Sequence, residues 1–139
     1  TFFLLLKSFK YKGKFHFFVG LQQIFFMCTS APTVITADTH GTAQRECAGL
    51  PVAVKVFPTD HVAEIKASEA RSLSGGVVCI GNGYNDIQMS DQAALSICVM
   101  GQEGCCAALL SHADIVVTSI TDALDLLLKP QRIRATLRT

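Results

Sequence analysis

Between positions 81 and 86 the chain reads Gly81-Asn82-Gly83-Tyr84-Asn85-Asp86. Two glycines let the backbone turn tightly, and three polar side chains fan out where a helix is about to begin, an arrangement that suits a phosphate group or a metal ion. The plainer alternative is an ordinary turn in which Asp86 caps the helix. A dinucleotide-binding fingerprint fits less well, because Asp86 stands where GxGxxG requires its third glycine.

The elements that must hold this loop are legible from Thr33 onward, where short β-branched apolar runs alternate with amphipathic stretches. Strands are expected at Val34–Thr36, Val52–Phe57, Val77–Ile80, Leu95–Val99 and Ile115–Val117. Helices are expected near Thr42–Ala48, His61–Leu73, Asp86–Ala94, Glu103–His112 and Ile120–Leu128, the last ended by Pro130. Runs such as Val77-Val78-Cys79-Ile80 lack polar alternation, so both faces of those strands are buried in a mostly parallel sheet with helices on each side. The expected class is α/β, a three-layer Rossmann-like fold. In such sheets ligands sit beyond the carboxyl ends of the strands, which is where the Gly81–Asp86 loop falls.

The 139 residues, half of them hydrophobic, suffice for one domain. The expected division is a segment 1–33, a core 34–129 and a C-terminal tail 130–139. The first segment differs from the rest: no acidic residue precedes Asp38 although the chain has eleven, and eight of the nine phenylalanines lie in the first 26 positions. Two readings stand for it, an aromatic-rich hairpin packed on the core or a foreign stretch from a frameshift, a wrong start or a gene-fragment boundary.

A net charge of +1 without a basic stripe gives no footprint for nucleic acid. Six cysteines without CxxC spacing, two of them in apolar runs, read as reduced thiols, and four scattered histidines do not read as a zinc site. The opening run Phe2–Leu6 is broken by lysines before it could span a bilayer and lacks a cleavage pattern, so no membrane association is expected and the chain reads as a cytoplasmic fragment.

The stretch VVCIGNGYNDIQM, Val77–Met89, resembles the fourth motif of haloacid dehalogenase-like proteins and the GDGxND hinge motif of P-type ATPases. ALSICVMGQEG, HADIVVTSITDALDLLLKP and RIRATLR resemble the soluble P-type-ATPase-like branch of that superfamily, so the likeness runs from about Val34 to Arg138. It implies Mg²⁺-dependent phosphoryl transfer through an aspartyl-phosphate, of phosphatase or ATPase type, on a phosphorylated small molecule or nucleotide. Thr36, followed by Ala37 in TADTHG, is similar to the second-motif hydroxyl that binds the phosphoryl oxygens. Lys66 resembles the third-motif lysine that pairs with the phosphoryl group, Lys55 being its nearby rival. Asp86 and Asn82 resemble the metal-binding positions, with Asn82 replacing an aspartate found in most of the superfamily. Asn85 either binds a phosphoryl oxygen or stabilises the turn.

The nucleophile of the family precedes its second motif, and here the first 37 residues hold no carboxylate side chain. Phe2–Leu6 or Phe15–Val19 is expected to supply the central strand in its place. If Phe2–Leu6 does so, Lys7 follows where the nucleophile would stand. The resemblance therefore implies a phosphohydrolase impaired in this chain. A non-catalytic phosphate- or partner-binding module and a truncated gene product are the alternatives.

Overall fold

The structure is a computed structural model that describes residues 3–7, 14–37, 41–57, 60–73 and 75–138. Six strands form one sheet in the order β3-β2-β1-β4-β5-β6, with β1 (Phe3–Lys7), β2 (Thr33–Thr36), β3 (Ala53–Val56), β4 (Val77–Gly81), β5 (Leu95–Val99) and β6 (Ile115–Val117). Every neighbouring pair is parallel. The expected α/β class and parallel sheet are what is found.

β1 is the central strand. Leu5 lies opposite Thr33 of β2 on one side and Cys79 of β4 on the other, and Leu6 lies between Val34 and Ile80. Five consecutive apolar residues, Phe2 to Leu6, make this possible, since a strand covered on both faces needs no polar alternation. Leu4 and Leu6 face one layer and Leu5 the other, all three at most 3 % exposed. The alternative central strand, Phe15–Val19, lies instead within helix α1 (Lys14–Phe25). The described part of the N-terminal segment is thus a strand and a helix of the sheet's own layers, not the aromatic-rich hairpin that was one of its two readings.

One face of the sheet carries α1 and α5 (Ile120–Leu128), which pack against each other over Leu4, Leu6, Val34, Val78, Ile80, Ile97 and Val99. Ser119 caps α5, its hydroxyl accepting the Asp122 N–H at 3.1 Å. Over the other face lie α3 (Val62–Ser72) and α4 (Ile87–Asp91), with Ala70 and Met89 on Leu5, Ile35, Val77 and Cys79. The short α2 (Thr42–Glu46) joins β2 to β3.

The helix expected over Ile120–Leu128 is found with those bounds, while the four expected before it are shorter: α2 and α4 end at Glu46 and Asp91 instead of Ala48 and Ala94, α4 also begins one residue later, and the other two change as follows. His61 has a left-handed φ of 63°, so α3 starts at Val62. The helix expected over Glu103–His112 shrinks to a 3-10 segment, Ala107–His112, because Gly104 adopts a φ of 77° within a tight turn that interrupts any helix begun at Glu103. Pro130 stops α5, as expected, and opens a further helix, α6 (Pro130–Leu137). Proline at a first helical position loses no intrahelical hydrogen bond.

No helix among the described residues is long and apolar enough to cross a membrane.

Because Leu6 is buried in the principal core, Leu6→Ala is expected to lower stability by about 2–5 kcal/mol. Leu5→Pro, which removes a ladder donor from a two-sided strand, is expected to abolish the cooperative urea transition followed by circular dichroism. An unchanged midpoint in both variants would refute the central position of β1.

Candidate functional site

The site lies at the carboxyl ends of β2, β1 and β4. Val77-Val78-Cys79-Ile80-Gly81 is buried throughout, so β4 delivers the Asn82 loop from a rigid support. A 3-10 turn, Tyr84–Asp86, then brings Asp86 back over the strand it left. Gly81 makes this return possible, because a Cβ there would stand 2.6 Å from the carboxyl carbon of Asp86.

Asp86 is 1 % exposed and fully engaged. Its Oδ2 accepts the N–H groups of Asn82 and Gly83, both at 3.0 Å, and its Oδ1 accepts the ammonium of Lys66 at 2.6 Å. Lys66 reaches it from α3 and is itself 5 % exposed. Its rival Lys55 instead forms a partly exposed pair with Glu69 at 2.9 Å. Two charges so deeply buried are tolerable only when paired and hydrogen-bonded, as these are.

Asn82 is buried, and its amide donates to Oε1 of Glu103 at 2.7 Å while its carbonyl accepts the Cys106 N–H at 2.7 Å. Glu103 thereby returns a carboxylate to a rim where asparagine replaces the expected acid. Sequence reasoning missed this residue, because the contact joins positions 21 apart through a turn that only the structure reveals.

Thr36, 8 % exposed, ends β2, and Ala37 follows it. They stand on the same rim as Asp86 but two strand spacings away, roughly 10 Å across β1. Lys7 ends β1 between them, its Cα in register with Ile35. Asn85 is exposed in the 3-10 turn. The structure thus brings Lys66, Asp86 and Asn82 into one cluster and places Thr36, Ala37 and Asn85 around it.

The donors of this cluster are oxygen-rich, which matches a hard divalent cation such as Mg²⁺. Asp86 already spends three hydrogen bonds on its carboxylate, and among the described residues no group of three or more His, Cys, Asp or Glu side chains could hold a metal. The residues therefore fit an ion that keeps most of its waters and takes further oxygens from a phosphorylated ligand; they do not form a closed cage.

Cysteines lie close behind the loop. Burial, and secondarily the charge of Asp86, pushes the Cys79 thiol up to about 12. Burial pushes Cys98 up to about 12 as well, reinforced by a hydrogen bond with Cys105 and by the nearby Asp86 and Cys106.

Two outcomes are expected. Lys66→Met leaves a buried carboxylate unpaired and should cost about 3–5 kcal/mol in urea unfolding, part of it regained when Asp86→Asn is added; a cost below about 1 kcal/mol would contradict the pairing. Since the folded-state values of Cys79 and Cys98 lie above the ordinary 9.0, their contribution to stability is complete below pH 9 and is lost as pH rises towards about 12. The urea midpoint should therefore fall over that window, and fall less steeply in Cys98→Ala.

No protein-family model matches the sequence. The uncharacterised protein MJ0073 of Methanocaldococcus jannaschii is 48 % identical over 85 residues, which cover 59 % of this chain and 91 % of that protein. Among solved structures, a protein of Streptomyces avermitilis described as a HAD family hydrolase superposes with a TM-score of 0.69 at 12 % identity, over 93 % of this chain and 91 % of the other. The 3-deoxy-D-manno-octulosonate 8-phosphate phosphatase of Moraxella catarrhalis, solved with magnesium, phosphate and KDO, gives 0.68 at 15 % identity, over 97 % and 91 %. The chain belongs to the same family as the Methanocaldococcus protein MJ0073, and its fold is that of the haloacid dehalogenase-like hydrolases.

Proposed function

We propose that this chain carries a phosphohydrolase-type site of the soluble P-type-ATPase-like branch, one that binds the phosphoryl group of a small molecule or nucleotide and whose turnover is impaired. The observation that carries the reading is the identity of β1: the central strand is present, paired on both sides, and ends on Lys7 in a segment without any aspartate or glutamate. A carboxylate at that point is what forms the acyl-phosphate in the superfamily, and an amine cannot take its place in that step.

In this reading the Thr36 hydroxyl and the backbone at Ala37 hold phosphoryl oxygens from one side of β1. Lys66 provides positive charge from the other and Asn85 contacts the ligand from the turn. Lys66 also holds the Asp86 carboxylate in place through its 2.6 Å contact. Asp86 and Asn82 would hold Mg²⁺, with Glu103 at the rim adding negative charge through Asn82. When bound, the ion would offset the charge of the phosphoryl group. In this reading the ligand is a diffusible one met in the cytoplasm, and no ion is transported. The units 1–33, 34–129 and 130–139 would then be an unusual central-strand segment, the site-bearing core and a helical end.

Hydrolysis of p-nitrophenyl phosphate and of ATP, with and without Mg²⁺, tests the reading on this chain and on Asp86→Asn. A parallel calorimetric titration with tungstate, a phosphate mimic, supplies the binding arm. The expected result is no Mg²⁺-dependent turnover above that of the variant, together with tungstate binding that weakens about tenfold or more in Lys66→Met. Mg²⁺-dependent turnover lost in Asp86→Asn would show that another group acts as nucleophile, and absence of tungstate binding by the folded chain would remove the site.

A further inference from the structure

Asn82 is gripped from two sides. Its N–H donates to Asp86 at 3.0 Å, its main-chain carbonyl accepts the Cys106 N–H at 2.7 Å, and its side-chain Nδ2 donates to Oε1 of Glu103 at 2.7 Å. The residue is buried, so its amide has little room to turn, and chemistry selects the orientation found. An ionised carboxylate only accepts, so Nδ2 must face Glu103 and Oδ1 must lie on the opposite side of the amide plane. A flipped amide would set two acceptor oxygens against each other at hydrogen-bond distance. Glu103 is itself exposed, third in the turn Gly101–Gly104, which the Gly104 N–H closes on the Gly101 carbonyl at 2.9 Å and the left-handed φ of 77° at Gly104 sharpens. An exposed turn after β5 thus spends its carboxylate on a buried amide after β4, through a charge-assisted bond stronger than a neutral one.

We propose that Glu103 is a positioning residue for the cation: it fixes the Asn82 amide so that oxygen, and not nitrogen, is the atom offered to the ion, and it supplies across one hydrogen bond the negative charge that an aspartate at position 82 would carry itself. The inference rests on the reading above, in which Asp86 and Asn82 hold Mg²⁺. A hard cation binds oxygen and is repelled by an NH₂ group, so an amide left to rotate would present the wrong atom part of the time. A carboxylate behind a ligand side chain removes that freedom and makes the ligand oxygen more negative. Ligand atom and charge, which one aspartate would combine, are here divided between Asn82 and Glu103. The two positions are therefore coupled: an aspartate at 82 beside Glu103 would lose the hydrogen bond and bring two like charges together.

Mn²⁺ alone, titrated into the full metal-free chain and followed by the paramagnetic resonance signal of the unbound ion, tests this in the unaltered chain, Glu103→Gln, Asn82→Asp and the double variant. Glu103→Gln keeps an acceptor for the amide but removes the charge, and is expected to weaken Mn²⁺ binding about tenfold or more. Adding Asn82→Asp to it should regain that loss, whereas Asn82→Asp with Glu103 in place should gain less than about threefold, the non-additivity of a coupled pair. In the metal-free chain the Asn82 side-chain NH₂ should exchange its hydrogens slowly, remain slow in Glu103→Gln and become fast in Glu103→Ala. Equal Mn²⁺ affinity with and without Glu103→Gln, or the same gain from Asn82→Asp in both backgrounds, would overturn the proposal. Unchanged NH₂ exchange in Glu103→Ala would overturn the orienting role. Absence of Mn²⁺ binding by the folded unaltered chain would overturn the inference too, and tungstate binding then distinguishes a phosphate site without a cation from no site at all.

Discussion

The contact between the Lys66 ammonium and the Asp86 carboxylate imposes most of the surrounding architecture. Both groups lie almost wholly out of water, where an unpaired charge costs several kcal/mol, so each requires the other to be delivered with little tolerance. α3 must present Lys66 on its sheet-facing side, β4 must end on a residue without a side chain, and the turn after it must fold back within one helical turn. Two backbone N–H groups of that turn complete the coordination of the carboxylate. A loop that reads as flexible from its glycines is thereby held from three directions.

In the proposed reading, fold and chemistry separate at β1. The sheet needs a strand between β2 and β4, since without one two rows of backbone groups would face a gap. Any run of apolar residues of the right length meets that need, and Phe3–Lys7 does so. The proposed phosphoryl chemistry would need one carboxylate at the end of that strand, and packing alone exerts no selection for it. The likeness to solved hydrolases over more than nine-tenths of the chain is therefore a statement about sheet order and layering.

Much of this was legible in the sequence where the physical cause is local. β4 was read from an unbroken apolar run, β5 from a largely apolar one, and the Asn82 loop from its glycines. The expectation that Phe2–Leu6 fills the centre of the sheet rested on length and apolar character and agrees with the observed pairing. What stayed open falls where one residue type serves two conformations. Pro130 both stops α5 and starts α6, and the apolar positions from Phe15 to Val19 suit a helix as well as a strand. The contact of Asn82 with Glu103 was beyond reach, because it depends on the turn at Gly101–Gly104, which a sequence pattern expecting a helix passes over.

The position of β1 also governs how the chain must be made. β1, β2 and β3 leave the ribosome before β4 and can assemble as one half of the sheet, but the remaining edge of β1 is completed only by β4, where Phe3 meets Val77. During the few seconds that separate the two at about 5–20 residues per second, Leu4, Leu5 and Leu6 form an apolar strand with one edge open to any other extended segment. The nascent chain is thus most exposed to misassembly in the interval between its third and fourth strands, and a chaperone that shields a bare strand edge would act there.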